Sequence, residues 1–361
     1  MKNIILASLL ATIAHVTAFA QHKAPKLTVA ATTMDLHWNG VAVSDNKRMF
    51  ADFPRSVKGV NPSVIEIKNG KEIPFPGGEW NQWKPGKATQ TAFVSINAVY
   101  IDRAENHLWV VDAGDPFGEG HLYGAPKLVE INLKNNQVVN TFLIDEEDAP
   151  KGSHLNDMRI IGDKVIISES GTGAILVLNR STGKVRRLLS KSIFTKADPN
   201  VNPVVSGLSL GGANGKPPVI NADEIEVSLD GKYFYFMSPF GPNLHKVAVS
   251  DLINEDLTDA QLEERITVDQ TLPPVGGILM DSKGNFYFSE VESHSIRCVG
   301  PDKKTKWILK DERLIWPDAY SITPDGTVYV AIAQNSNLPF MHHGENAQKP
   351  PFYIFSFKTG N

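Results

Sequence analysis

The chain has 361 residues, 42% of them hydrophobic, a formal net charge of −4 and one cysteine, Cys298. A mild acidic balance without any basic block argues against nucleic acid and anionic membrane as partners. A single cysteine excludes an internal disulfide, so stability must come from core burial and sheet pairing.

In chain order, residues 1–20 read as a secretory leader. Lys2 gives a positive start, Ile4 to Leu10 an apolar stretch, and Ala18-Phe19-Ala20 a small-residue cleavage site. Cleavage after Ala20 places the mature chain, 21–361, in the periplasm or the medium, as a soluble monomer. No later apolar run is long enough to span a bilayer. Leu27-Thr28-Val29 then reads as a strand able to close a ring against the end of the chain.

Six short bursts of apolar residues follow: Arg48-Met49-Phe50, Leu108 to Val111, Val165 to Ile167, Tyr233 to Phe236, Asn285 to Phe288 and Val328 to Val330. They recur at roughly 40 to 70 residues, the range of blade-like repeats. After each comes a second strand-like run: Ser63 to Ile67, Lys127 to Ile131, Ile175 to Leu178, Leu244 to Val247, Ile296 to Val299 and Phe352 to Phe357. Turn dipeptides punctuate the pattern, among them Asn69-Gly70, Asp230-Gly231 and Asp325-Gly326. A unit this small cannot bury both faces of its sheet alone and must stack on its neighbours. The expected fold is all-β, a single six-bladed β-propeller over 21–361 with its chemistry in the central channel. Three loops break the rhythm, Glu79 to Ala88, Ser192 to Pro218 and Asn335 to Pro351, and such long connections favour binding roles. Ser250 to Glu264 is the one helical candidate.

Four ordered motifs carry a resemblance: N-K-R-M-F-A-D-F-P-R-S-V-K-G (46–59), L-W-V-V-D-A-G (108–114), G-A-P-K-L-V (124–129) and D-E-R-L-I-W-P-D (311–318). Together they resemble the Yellow/major royal jelly protein family in its bacterial branch. The resemblance implies a six-bladed, exported propeller with a small-molecule pocket at one end of its channel; some salivary relatives bind biogenic amines. A more distant likeness is to the senescence-marker/gluconolactonase propellers, which hold a divalent cation, typically calcium, at the channel mouth. By that likeness His154-Leu155-Asn156-Asp157 corresponds to a metal-binding loop, and Asn156 and Asp223 become metal ligands. The same likeness places Asn39 and Gly276 where that family has acidic groups.

The candidate site residues follow from both readings. In Asn221 to Val227, alternation puts Asp223 on the face of Ile225 and Val227, and a carboxylate buried there needs a partner or a metal. Glu224 and Glu226 are then expected on the opposite, solvated side. Asp318 enters the sixth blade as Asp223 enters the fourth, so the two converge at one channel end. Trp316 and Asn156 join them as ligand-binding candidates. His154 and Asp157 are the candidates for proton handling. Trp80, Trp83, Phe240 and Phe340 are loop aromatics that either line a pocket or pack across the propeller face. Arg55 reads as an inter-blade anchor, Asp112 as a strand-end residue and Cys298 as core. His342-His343 lacks a second ligand cluster and is not read as a zinc site. No phosphate cradle, nucleophile elbow, H-E-x-x-H or C-x-x-C is present. The favoured function is binding of a small organic molecule at the channel mouth; the alternative is a calcium-dependent lactonase in which Asn156 and Asp223 coordinate the cation.

Overall fold

The computed structural model describes residues 23–56 and 59–359; the expected leader, 1–20, lies outside the described residues. Six four-stranded antiparallel sheets follow one another around an axis. We number them blades I to VI. Their innermost strands are Val41–Val43, Ile96–Asp102, Leu155–Ile161, Glu224–Val227, Val275–Met280 and Pro317–Ile322. Each packs on the next in cyclic order, and the strand of blade VI returns to that of blade I. The six bursts are the second strands of the blades and the six runs behind them the third strands.

The bursts pack on both sides because both faces of every blade are covered by its neighbours. Phe50 points into an apolar cluster shared with Leu108 and Val110 of blade II, whereas Ala51 points into one shared with Ile354 of blade VI. Equivalent clusters fill the gaps between blades II and III, III and IV, IV and V, and V and VI. Each fully buried Val, Leu, Ile or Phe contributes about 1.5–3 kcal/mol of transfer free energy. Cys298 belongs to the blade V–VI cluster and is a buried free thiol.

The ring closes as the sequence suggests. Thr28–Thr33 pairs antiparallel with Phe352–Lys358 as the outer strand of blade VI, with Thr28 opposite Ser356 and Thr33 opposite Phe352. Asn69 and Gly70, both left-handed at φ 52° and 71°, form the tight turn between the outer strands of blade I. The single helix expected over 250–264 is instead two short ones, Val249–Leu252 and Asp259–Glu263, the second opened by a capping box between Thr258 and Gln261.

Of the three long loops, segment 335–341 lines the channel mouth. Segment 192–218 carries the small hairpin Val204–Val205/Leu208–Ser209, and it is stitched to segment 338–344. Gly211 donates its amide to the Met341 carbonyl at 2.9 Å and accepts from the His343 amide at 2.6 Å. The His343 ring donates to the Ser209 carbonyl at 2.9 Å, so this histidine is a loop clamp. Arg55 joins blades I and II by donating to the Val94 carbonyl at 2.8 Å and to Ser63 Oγ at 3.0 Å. Asp112 holds the entry to blade II by accepting from the amides of Val94 and Ser95, both at 2.8 Å, and it pairs with Lys127 Nζ at 2.5 Å.

Candidate functional site

A cavity of about 560 Å³ opens at the mouth of the channel, and beneath it lies a chamber of about 40 Å³. Asn39, Asn97, Asn156, Asp223, Glu224 and Asp318 line both. Five of these stand where an inner strand enters the channel: Asn39 in blade I, Asn97 in II, Asn156 in III, Asp223 in IV and Asp318 in VI. Blade V offers Gly276 there. In blades II, III, V and VI the pairing register slips at this point, between Ile96 and Ala98, Leu155 and Met158, Val275 and Ile278, and Pro317 and Tyr320. A bulge of this kind re-aims a side chain, and here it turns the entry residues toward the axis.

The two halves of this ring differ. On the amide side the groups satisfy one another. Asn335 Nδ2 donates to Asp318 Oδ2 at 2.8 Å and lies 3.3 Å from Asn39 Oδ1. Asn39 Nδ2 donates to the Asn97 carbonyl at 3.0 Å, and Asn97 Nδ2 to the Asn156 carbonyl at 3.1 Å. Asn156 Nδ2 donates to Ser170 Oγ at 3.0 Å. His154 Nε2 lies 3.1 Å from Asn97 Oδ1, and its Nδ1 lies 3.5 Å from Asp115 Oδ2. On the acid side, among the described residues, no donor reaches the Glu224 carboxylate, although the residue is only 8% exposed. Asp318 Oδ2 accepts from the Trp316 indole at 3.2 Å as well as from Asn335.

Below the chamber the channel is blocked. Arg159 bridges Asp157 Oδ2 at 2.6 Å and Glu226 Oε1 at 3.1 Å, and its guanidinium lies over the Tyr100 ring. The Met280 amide donates to Glu226 Oε2 at 3.3 Å. The mouth cavity narrows onto this chamber, where Glu224 is buried and Asp157, Asp223 and Asp318 are half-buried.

That burial sets the protonation. Burial first, then the charge of Asp157, pushes Asp223 up to about 7, with His154 and Asn156 opposing. Burial, then Asp223, Asp318 and Asp157, pushes Glu224 well above the carboxylate range. Asp318 is raised likewise by burial and by Asp223, Asp52 and Asp157. Asp52, fully buried beside the entry of blade I, rises to about 7 through burial, with the backbone amide of Gly40 opposing. Burial would raise Asp115 too, but the hydrogen bond and charge of His154 and the Gly120 amide outweigh it and hold Asp115 low.

The sequence candidates are thus placed. His154, Asn156, Asp223, Asp318 and Trp316 all line the mouth cavity, and Asp157 lines the chamber, committed to Arg159. Trp316 is a buried wall packed edge-on against Phe240. Of the loop aromatics only Phe340 faces the cavity; Trp83 lies under Arg55, and Trp80 packs on Phe93. The expectation that Glu224 and Glu226 are solvated is corrected, since both are 8% exposed. The alternation around Ile225 holds, but the far face of an innermost strand looks onto the axis and the neighbouring blades, where no bulk solvent exists. Sequence reasoning missed Asn97, Asp115, Asn335, Glu224 and Asp52. Asn97 had a signal, because it precedes its burst by nearly the same interval as Asn39 and Asn156 precede theirs.

The calcium set implied by the gluconolactonase likeness is incomplete in this chain, because Asn39 and Gly276 stand where that family supplies acidic ligands. Among the described residues no group of three or more His, Cys, Asp or Glu side chains is placed to hold one ion.

Fold and site together define a six-bladed propeller with an acidic channel mouth. The chain belongs to the major royal jelly protein family, whose family description matches residues 94–348, more than half of its length. No curated protein sequence matches it. Among solved structures it is similar to virginiamycin B lyase from Staphylococcus aureus, at 12% identity and a TM-score of 0.53, over 93% of this chain and 100% of that one. It is also similar to a streptogramin B lyase at 11% identity and a TM-score of 0.52, over 93% and 98% of the two chains. At such identities the likeness shows the propeller fold alone. Among the described residues no helix is long and apolar enough to cross a membrane.

Proposed function

We propose that this protein is an exported binding protein for a small organic molecule, cationic or polyhydroxylated, held at the mouth of the propeller channel. The observation that carries this reading is the acid arc, where Glu224 has no hydrogen-bond donor among the described residues on the floor of a cavity of about 560 Å³. A buried carboxylate without a donor is costly, and a ligand bringing positive charge or hydroxyl hydrogens removes that cost. Val219, Ile220, Leu338, Phe340 and Met341 supply apolar surface above it. The volume falls in the usual range for small-molecule pockets.

Export after Ala20 and a monomeric state belong to the same proposal and rest on the leader and on the closed ring of blades. The lactonase alternative is not favoured, because Asn39 and Gly276 stand where that family supplies two acidic ligands. The test is a thermal-shift and calorimetric panel of organic cations, polyols and sugars against the protein and its Asp223→Asn and Asp318→Asn variants. A compound at a hundred times its Kd stabilises by about 2.7 kcal/mol, a shift of several degrees that either variant should reduce. Shifts that survive both substitutions would place the ligand elsewhere, and a panel without any shift would refute the reading.

A further inference from the structure

We propose that His37 and Ser56 form a second polar subsite on the blade I wall of the mouth cavity, and that it takes a hydroxyl group of the ligand. This rests on the binding reading above and narrows it. The ligand is a polyhydroxylated molecule, a sugar or a polyol, that reaches from blade I across to the acid arc.

Both residues line the mouth cavity. His37 is only 5% exposed, and its Nε2 is buried without a hydrogen-bond partner among the described residues. Ser56 Oγ is buried and unpartnered in the same way. Strand pairing in blade I brings the two to one wall. Val41 pairs with Ala51, and beyond the sheet the Asn39 amide still donates to the Asp52 carbonyl at 3.1 Å. The segments carrying His37 and Ser56 therefore leave the blade at adjacent points. Phe352 of blade VI packs beside the His37 ring, with 6.1 Å between ring centroids, and restricts how it can turn.

A buried polar atom without a partner costs free energy until one arrives. Two of them on one wall of a ligand-sized cavity mark where that partner comes from. The chemistry of the wall then narrows the choice. The cavity-lining residues of blade I are His37, Asn39, Pro54 and Ser56, and none of them is acidic. The carboxyl groups lie elsewhere: Asp223 and Glu224 on blade IV, opposite blade I in the ring, and Asp318 on blade VI. A simple organic cation goes to those groups and leaves His37 and Ser56 unmatched. An anion needs a cationic partner, and no Lys or Arg is among the residues lining the mouth cavity. A hydroxyl group both donates and accepts, so it matches a serine hydroxyl and either tautomer of an imidazole. It reaches the buried nitrogen directly or through one bridging water. Further hydroxyl groups on the same molecule bond the carboxyl groups across the cavity. Phe117 and Phe340, which also line it, offer apolar surface to the C–H faces of a sugar ring.

The test uses four hydroxylated probes, glucose, maltose, sorbitol and myo-inositol, with methylammonium chloride as a cation that has no hydroxyl. Each is titrated calorimetrically into the protein and into His37→Phe and Ser56→Ala. We expect at least one hydroxylated probe to bind the parent, and each substitution to weaken it roughly five- to tenfold, the worth of one hydrogen bond. Thermal melts without ligand report on folding. His37→Phe removes an unmatched polar atom, so its midpoint should not fall. Should it fail to fold, Ser56→Ala, which deletes a single oxygen, carries the test alone. A hydroxylated probe that binds the folded variants as tightly as the parent overturns the subsite. Binding of methylammonium but of none of the four hydroxylated probes also overturns it, while the binding reading stands. No binding of any probe, here or in the wider panel, refutes both.

Discussion

Replacing Asp52 with Asn removes a titratable group from a site where it has no solvent and no cation beside it, only backbone amides. Its carboxyl is raised from 3.8 to about 7, chiefly by burial. The folded state therefore binds this proton more tightly than the unfolded chain does. The folded protein is favoured most at acid pH, and stability falls as the pH rises from about 4 to about 7 and then levels off. Each pKa unit is worth 1.36 kcal/mol, so ionised Asp52 costs roughly 4 kcal/mol at most, part of it relieved by relaxation and water entry. Between pH 5 and pH 9 the loss that remains to be incurred is about 2 to 3 kcal/mol. Asn cannot ionise, and its unmatched amide donors cost about 1–3 kcal/mol at every pH. Urea unfolding at a series of pH values should therefore show the stability of Asp52→Asn relative to the parent rising by about 2 to 3 kcal/mol between pH 5 and pH 9. Parallel stability curves for the two proteins across that range would refute the assignment of a protonated Asp52.

Two further outcomes test the scaffold around the site. Lys127 and Asp112 are fully buried together, so Lys127→Met should cost about 3–5 kcal/mol by leaving a buried charge; Asp112→Ala should cost more, because it also orphans the amides of Val94, Ser95 and Gly114. Gly40→Ala would put a methyl 2.1 Å from Asp52 Oδ1. It should destabilise, and combining it with Asp52→Ala should recover at least about 1 kcal/mol of the summed loss in a double-mutant cycle.

The blade order was legible because a blade buried on both faces needs dense runs of branched and aromatic residues in its middle strands. The bursts such as Leu108 to Val111 and Tyr233 to Phe236 are those strands. The closing strand at 28–33 was legible from Leu27-Thr28-Val29 although it is an outer, largely exposed strand. The other outer strands were not, since Gln137–Leu143 and Thr267–Thr271 are polar and largely exposed. At the site, Asp223 and Asp318 stood out as acids at blade entries. Glu224 did not, because a strand with Ile225 and Val227 on one side looks half-solvated until the axis is known. Asp115 and Asn335 act from loops whose path no periodicity encodes; only the fold brings Asp115 to His154 and Asn335 to Asp318. The helix expected over 250–264 broke in two because Asn254 and Thr258 favour caps and turns over a helix interior.

Pairing Thr28–Thr33 with Phe352–Lys358 makes the sixth blade a product of both ends of the polypeptide. While the chain is being synthesised, the first five blades can collapse, but the last cannot assemble until the ribosome has delivered its final strand. Until then blades V and I each present a bare apolar face, lined by Tyr287 and Leu279 on one and by Val41 and Ile65 on the other. Such surfaces are where chaperones bind and aggregates begin, so production of this protein should be limited by how long that gap stays open.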